Sequence, residues 1–194
     1  MHKIAIMVFP DVEELDFVGP FETLASVGKL YPDTVQVDLI ANTLDSIKGF
    51  NGLRILPDKT FYKKEQYDVL IIPGGEGRRK AMHDSDVLRF VKENVDGLSY
   101  LCSVCTGAFI LAEVGVLRGL KATTHHTALE ELHISYPDVE VVEDRVVKND
   151  TDPKVWLAGG ISAGIDLSLE LVEELFDETV RNEIAERLEY QWVV

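Results

Sequence analysis

Short apolar runs alternate with amphipathic stretches along most of this chain. Apolar runs of strand length lie at residues 3–9, 35–41, 67–73 and 155–158, and shorter runs lie at residues 52–57 and 121–124. Apolar residues at helical spacing predict helices over about 79–95, 127–135, 163–176 and 179–190. Fully apolar strands that alternate with helices predict an α/β chain whose mostly parallel sheet is covered on both faces.

Two stretches depart from this regular pattern. Residues 14–27 have helical spacing, but Pro20 lacks a backbone donor, so we expect a broken or late-starting helix there. Residues 139–142 and 145–148 flank Glu143-Asp144, which predicts a hairpin. No linker, repeat or low-complexity segment interrupts the chain, and residues 1–194 are expected to form one domain.

The corner between the strand at 99–104 and the helix that follows it carries a cysteine. Cys105 has Ser103 and Gly107 two residues to either side, which is the small-residue pattern of a nucleophile elbow. Such a turn exposes the side chain at the carboxyl end of a strand and at a helix N-terminus. We therefore expect the Cys105 thiol to have a pKa below that of a free thiol. The alternative is a buried cysteine at an ordinary turn.

Asp16 is the candidate partner of this thiol. It follows the first strand, so its carboxyl would face Cys105 if the two strands lie close together. A carboxylate and a thiolate repel, so one of them should then hold a proton, and a protonated Asp16 could pass it to a substrate. The alternative is a helix N-cap, the common role of Asp before an apolar stretch, and spacing alone favours it. Glu13 and Glu14 are expected at the surface.

Glycines end two further strands on the same edge of the sheet. Gly74 and Gly75 could turn their N–H groups toward the site and form an oxyanion hole with the Thr106 N–H, or they could simply permit a tight turn. Gly159 and Gly160 end the strand at 155–158 in the same way.

The remaining candidate groups carry weaker signals. His125 or His126 could act as a base for Cys105 or bind a metal, but adjacent residues diverge on an extended backbone, and a structural histidine at a strand end is the simpler interpretation. Cys102 lies within the strand, so it is expected to be buried core and not half of a redox pair. The sequence has no dinucleotide or phosphate-loop motif, and we predict neither a metal nor a cofactor.

Composition narrows the class of protein. The chain has 194 residues, of which 46% are hydrophobic and 27% charged, and its formal net charge is −15. That charge argues against a nucleic-acid partner. Two cysteines and the lack of a signal-peptide or membrane-spanning pattern lead us to expect a cytoplasmic protein that does not associate with membranes.

Several segments together resemble the ThiJ/PfpI superfamily. They are Val8-Phe-Pro-Asp-Val-Glu-Glu-Leu-Asp-Phe-Val-Gly-Pro20, Ile72-Pro-Gly-Gly75, Val104-Cys-Thr-Gly-Ala108, Ala122-Thr-Thr-His125 and Ala158-Gly-Gly-Ile-Ser-Ala-Gly164. Their order and spacing match over nearly the whole chain. Within the superfamily the sequence is most similar to isonitrile hydratases and to the amino-terminal domains of AraC-type regulators. The resemblance implies a three-layer, doubly wound, flavodoxin-like fold shared with the class I glutamine amidotransferases.

The resemblance also implies roles for individual residues. Cys105 would be the nucleophile, Asp16 the acid beside it, Thr106 the residue after the nucleophile, and Gly75 the backbone oxyanion position. Members are usually homodimers with the active site near the subunit interface. The chain departs from relatives in lacking a histidine after the nucleophile, which weakens a peptidase assignment. It also lacks the longer proline-containing tail of isonitrile hydratases and a DNA-binding domain.

These observations leave more than one function open. The resemblance favours a cysteine-dependent hydratase or hydrolase of a small molecule, with isonitrile hydratase as the candidate activity. A second hypothesis is a sensing domain for a small molecule or for oxidative stress, in which Cys105 is oxidised. Glyoxalase, deglycase or peptidase-like activity is a weaker third.

Overall fold

The apolar strands form a central sheet of seven strands in the computed structural model, which describes residues 1–63 and 65–191. The order across the sheet is β10-β11-β7-β6-β1-β2-β5. The strands of this sheet and of two small two-stranded sheets are β1 (His2–Met7), β2 (Val35–Ala41), β3 (Ile47–Lys48), β4 (Arg54–Ile55), β5 (Lys59–Thr60), β6 (Val69–Ile72), β7 (Tyr100–Val104), β8 (Lys121–Ala122), β9 (Glu140–Val141), β10 (Val146–Asn149) and β11 (Lys154–Ala158).

All neighbours in the seven-stranded sheet pair in parallel except β10, which runs antiparallel to β11. Helices cover both faces of a parallel sheet, so side chains on either face of its central strands are buried. Ile6, Ile71 and Leu101 are examples. The predicted α/β, doubly wound architecture is confirmed.

Helices cover this sheet in two groups. The helices are α1 (Glu14–Leu30), α2 (Arg78–Ala81), α3 (Ser85–Asn94), α4 (Ala108–Val114), α5 (Leu129–Ser135), α6 (Ala163–Leu175) and α7 (Glu178–Arg187). Helices α1, α6 and α7 pack together, and α2, α3 and α4 form the other group. Within the described ranges, no helix is long and apolar enough to cross a membrane.

Helix α1 is continuous, so the prediction of a break at Pro20 is wrong. Close packing against α6 supports this helix. A Cβ at Gly164 would lie 3.3 Å from the Pro20 ring, and one at Gly19 would lie 3.0 Å from Ile165. These small residues bring the two helices together, and the resulting burial offsets the one backbone hydrogen bond that Pro20 cannot make.

Two other sequence predictions need correction. The helix predicted over 79–95 is split into α2 and α3, because Asp84 caps α3 by accepting the N–H groups of Asp86 and Val87 at 2.8 and 3.3 Å. The hairpin predicted around Glu143-Asp144 does not form. Strand β9 pairs in parallel with β8, and β10 takes β11 as its partner. The expectation that the chain lacks the longer tail of isonitrile hydratases concerns its last residues, of which 192–194 lie outside the described residues.

Candidate functional site

Cys105 sits on the elbow that its neighbours predict, but its side chain is buried and not exposed as expected. Its backbone has φ +55°, and its N–H donates to the Gly159 carbonyl at 2.5 Å. One turn of 3-10 helix follows and leads into α4. A Cβ at Gly107 would lie 2.1 Å from the Ile72 carbonyl oxygen, so a larger residue there would force β6 and the elbow apart. The positive φ at a non-glycine residue is a strained conformation that recurs at functional sites.

Asp16 lies in the first turn of α1 and is fully buried. Its Oδ2 accepts the Gly74 N–H at 3.0 Å, and its carboxyl hydrogen-bonds with the Cys105 thiol. Its Oδ1 is buried and has no hydrogen-bond partner among the described residues. The N-cap interpretation is therefore wrong. The capping position is Glu13, which makes no side-chain cap, and Asp16 points inward to the cysteine.

Burial controls the protonation of this pair. It raises the pKa of Asp16 to about 7, and the hydrogen bonds from Gly74 and Cys105 only partly oppose it. Burial also raises the pKa of the Cys105 thiol, and the Asp16 charge raises it further. The expectation of a thiol pKa below the free value is thus wrong, because burial and the Asp16 charge outweigh the effect of the α4 N-terminus, which begins three residues later. Two adjacent negative charges are unfavourable, and the first proton leaves with a pKa of about 7, so the pair holds one proton above about pH 7.

The glycine turn after β6 approaches Thr106 closely. A Cβ at Gly74 would lie 2.5 Å from both the backbone nitrogen and the hydroxyl of Thr106. Gly75 has φ +108°, and its N–H donates to Thr106 Oγ1 at 3.0 Å. The N–H groups of both glycines are therefore occupied, Gly74 by Asp16 and Gly75 by Thr106. This differs from the expected open oxyanion hole, since the Thr106 hydroxyl must turn away before the Gly75 N–H can reach a substrate.

His125 lines the same pocket but makes its recorded hydrogen bonds to Thr127. Its Nδ1 lies 2.8 Å from Thr127 Oγ1 and also accepts the Thr127 N–H at 3.4 Å, so the proton of the neutral ring sits on Nε2. Burial and the neighbouring His126 lower the pKa of His125, which favours this neutral form. Gly160 makes room for the ring, because a Cβ there would lie 2.3 Å from His125 Cδ2. His126 lies outside this pocket.

Cys105 opens onto a pocket of about 230 Å³. Several lining residues have no signal in the local sequence, because distant segments bring them together. The pocket is lined by Glu13, Phe50, Gly75, Glu76, Arg78, Arg79, Cys105, Thr106, His125, Thr127, Ala128, Glu131 and Ile161. The lining contains three glutamates and two arginines, so the net charge of the pocket wall is small.

Arg78 anchors one wall of the pocket. Its side chain is 4% exposed, its guanidinium lies 3.8 Å from the centre of the Phe109 ring, and it donates to Glu131 Oε2 at 2.5 Å. This ion pair holds the pKa of Glu131 below its usual range. Because Glu131 lies on α5 and Arg78 is the first residue of α2, the pair connects these two helices.

Glu14 is half-buried at the start of α1, beside the β3–β4 hairpin. Its carboxylate accepts the N–H of Asn51 at 2.7 Å and that of Leu53 at 3.3 Å. These bonds fix the β3–β4 hairpin against the start of α1. Glu13 beside it lines the pocket, and burial and the Glu14 charge raise its pKa.

Cys102 is fully buried and free, as expected for a core residue. It pairs across the sheet with Ile71 and Trp156, on the opposite side of β7 from Cys105 in the alternation of the strand. Burial raises its pKa strongly. It therefore takes no part in the site.

The chain matches known proteins along most of its length. The model of the DJ-1/PfpI family matches residues 2–174. An isonitrile hydratase from Pseudomonas putida is 37% identical over 191 residues, covering 97% of this chain and 78% of that protein. The HTH-type transcriptional regulator CdhR of Pseudomonas aeruginosa is 24% identical over 181 residues, which span 93% of this chain and 53% of the regulator.

A solved structure shows the same fold. A ThiJ/PfpI family protein from Pseudomonas syringae superimposes with a TM-score of 0.88 at 31% identity, covering 100% of this chain and 76% of that one. The family model and the isonitrile hydratase both match well over half of the chain. The protein is therefore a member of the DJ-1/PfpI family.

Proposed function

We propose that the protein is a cysteine-dependent hydratase that converts a small isonitrile and water into an N-substituted formamide. The observation that carries the proposal is the Asp16–Cys105 pair, in which a buried carboxyl with a raised pKa interacts with a thiol that lines the pocket. Such a pair can supply a nucleophile and an acid in the same encounter. The 37% identity to an isonitrile hydratase supports the same assignment.

The first step uses both groups. Transfer of the thiol proton to Asp16 leaves a thiolate that attacks the terminal carbon of the isonitrile, forming a C–S bond. Asp16 then returns the proton to that carbon, which gives a thioimidate. The isonitrile is neutral and its carbon accepts a proton after attack, so the reaction needs a positioned acid. Asp16, with a pKa of about 7, is suited to that role at neutral pH.

The second step is hydrolysis of the thioimidate. Asp16, now ionised, takes a proton from water as the water oxygen bonds to the same carbon. Asp16 passes this proton to the nitrogen and then accepts the hydroxyl proton, which it transfers to the sulfur as the C–S bond breaks. The formamide leaves, and the Cys105 thiol is restored. No cofactor is required for these steps. The occupied Gly75 N–H favours this chemistry over acyl transfer, because no oxyanion develops in the first step.

Turnover of cyclohexyl isocyanide tests the proposal directly. We expect N-cyclohexylformamide to form with the native protein, and we expect Cys105→Ala and Asp16→Asn to lose at least about a hundredfold in rate, since each removes a group that reacts. Cys102→Ala serves as the matched control and should keep full activity. Absence of formamide with the native protein would rule out the hydratase assignment.

A sensing role is the second candidate, and the match to a transcriptional regulator favours it. In this role peroxide oxidises the Cys105 thiolate to a sulfinate, and the protonated Asp16 donates a hydrogen bond to it. Mass spectrometry after peroxide treatment tests this proposal. A sensor gains two oxygen atoms on Cys105 at low peroxide and turns over no isonitrile, whereas a hydratase turns over isonitrile before any treatment.

We propose further that the protein acts as a homodimer through an apolar patch beside the pocket. Helix α1 exposes Leu15 and Val18, the hairpin exposes Phe50 and Leu53, and each of these side chains is at least 38% exposed. Phe50 also lines the pocket, so a second copy packed on the patch would help to enclose the substrate. Light scattering should show a dimer that Leu53→Asp dissociates, whereas Ile134→Asp, at an exposed apolar position on α5, should leave it intact. A monomeric native protein would contradict this.

A further inference from the structure

A second cavity lies beside the glycine turn, separate from the Cys105 pocket. Its volume is about 180 Å³, and it shares no lining residue with the Cys105 pocket. Gly77 forms part of its wall, two residues beyond Gly75. The full lining is Val8, Phe9, Pro10, Asn42, Phe61, Gly77, Lys80, Ala81, Asp84 and Val87.

The position of this cavity in the sheet is one where α/β folds bind ligands. Val8 and Phe9 follow β1, Asn42 follows β2, and Phe61 follows β5, so the cavity opens at the carboxyl ends of these strands. Strand β1 pairs with β2 on one side and with β6 on the other, which makes it the point where the strand order diverges. Ligands in open parallel sheets bind in the crevice at this point.

The cavity wall is mainly apolar and has the size of a single ring. Val8, Phe9, Ala81 and Val87 are buried, and the Phe61 ring is held by stacking on Phe90 with centroids 4.8 Å apart. A dry cavity of about 150 Å³ lined by apolar side chains is large enough to bind benzene. The present cavity therefore accommodates one six-membered ring together with a small substituent.

The polar residues of the lining define what that substituent is. Lys80 and Asn42 are exposed residues of the cavity lining, and the Lys80 ammonium and the Asn42 amide make no hydrogen bond or ion pair with any residue in 1–63 or 65–191. Both can donate to an acceptor oxygen. Asp84 also lines the cavity, so the lining contains one negative and one positive side chain and has no net charge. With balanced charges, an uncharged ligand is favoured over an anion or a cation.

We propose that this cavity binds a small uncharged molecule that has one apolar ring or a branched aliphatic body and one carbonyl acceptor. The apolar body packs against Phe9, Phe61 and Val87, and the carbonyl oxygen accepts from Lys80 or Asn42. The site does not involve the Cys105 chemistry, so it stands whether or not the protein is a hydratase.

Benzamide is the probe that tests the proposal, with methyl NMR as the measurement. Saturable shifts are expected at the methyl groups of Val8, Ala81 and Val87, with a Kd in the millimolar range for a ligand of this size. The methyl groups of Ala128 and Ile161, which line the Cys105 pocket, should not shift. Benzoate and benzamidinium have the same shape with a negative and a positive charge, and each should bind at least about threefold more weakly.

Variants separate the cavity from other sites. Ala81→Phe fills the cavity and should abolish the shifts, and Lys80→Met should weaken benzamide several-fold, whereas Lys92→Met on the exposed face of α3 should not. The measurement on the native protein needs no variant to fold. The proposal is wrong if benzamide gives no saturable shift, if only Ala128 and Ile161 respond, or if benzoate binds as tightly as benzamide.

Discussion

Asp16 accepts the Gly74 N–H at 3.0 Å with Oδ2, and its carboxyl also interacts with the Cys105 thiol. The backbone of the β6 turn thus fixes the orientation of the acid, while the protein interior sets its protonation. A carboxyl held in this way cannot rotate out to water, so its charge is felt by the thiol whenever it ionises.

The first prediction concerns the pH dependence of Cys105 alkylation. The first proton leaves the pair with a pKa of about 7, and the singly ionised pair always includes a fraction in which the thiolate faces a protonated Asp16. The rate of reaction with iodoacetamide should therefore rise about tenfold between pH 6 and pH 8. Cys105→Ala should abolish the reaction, because Cys102 is fully buried.

Asp16→Asn provides the control for this profile. The amide cannot release a proton, so the inflection near pH 7 should vanish and only the titration of the thiol itself should remain. A native profile without that inflection, or a variant profile that keeps it, would show that Asp16 does not control the thiol.

The second prediction concerns the pH dependence of stability. Asp16 has a higher pKa in the folded state than in the unfolded chain, so the folded protein binds more protons between about pH 4 and pH 7. The free energy of unfolding should therefore fall as pH rises through this window, by about 4 kcal/mol for this group. In Asp16→Asn the amide does not titrate, so the free energy of unfolding should not fall through this window. Relative to the native protein, the variant should gain stability from pH 4 to pH 8, and chemical denaturation at each pH measures the difference. Parallel pH curves would contradict the raised pKa.

The sequence predicts those parts of the site that depend on neighbouring residues. The small residues around Cys105 identify the elbow, because the steric limits of that turn act within two residues of it. The pairing of Asp16 with Cys105 depends on the order of strands in the sheet, and the depth of burial decides the pKa values of both. A helix N-terminus alone predicts the wrong direction for the thiol, because it leaves out that burial.

Contacts between distant segments have no local signal. Arg78 and Glu131 are 53 positions apart in the sequence. Arginine and glutamate are residue types that usually lie at the surface, so neither position indicates a buried ion pair. In the same way, residues 139–148 have the alternating pattern of a hairpin, but β9 pairs with β8 and β10 pairs with β11. The resemblance to a family compensates only where its motifs name the residue, as they do for Asp16.

The third prediction concerns the ion pair between Arg78 and Glu131. Glu131→Ala leaves a buried guanidinium without its carboxylate, and because Glu131 is itself part-exposed, the loss should be about 1–2 kcal/mol of unfolding free energy. Glu131→Gln keeps an acceptor and should lose less. Glu130→Ala, at an exposed neighbouring position, is the matched control and should be near neutral. Equal effects of Glu130→Ala and Glu131→Ala in thermal unfolding would show that the pair contributes nothing.

The last prediction concerns the space that Gly160 leaves for His125. A Cβ at position 160 would lie 2.3 Å from His125 Cδ2, so Gly160→Ala must displace the imidazole ring from its place in the pocket wall. Burial and His126 lower the pKa of His125, and a displaced, more hydrated ring should titrate closer to its ordinary value. An NMR titration of the His125 ring should therefore show a higher pKa in Gly160→Ala than in the native protein. Gly97→Ala is the control, because a Cβ there has no atom within 4 Å. An unchanged His125 pKa in Gly160→Ala would mean that the ring is not held where the geometry places it.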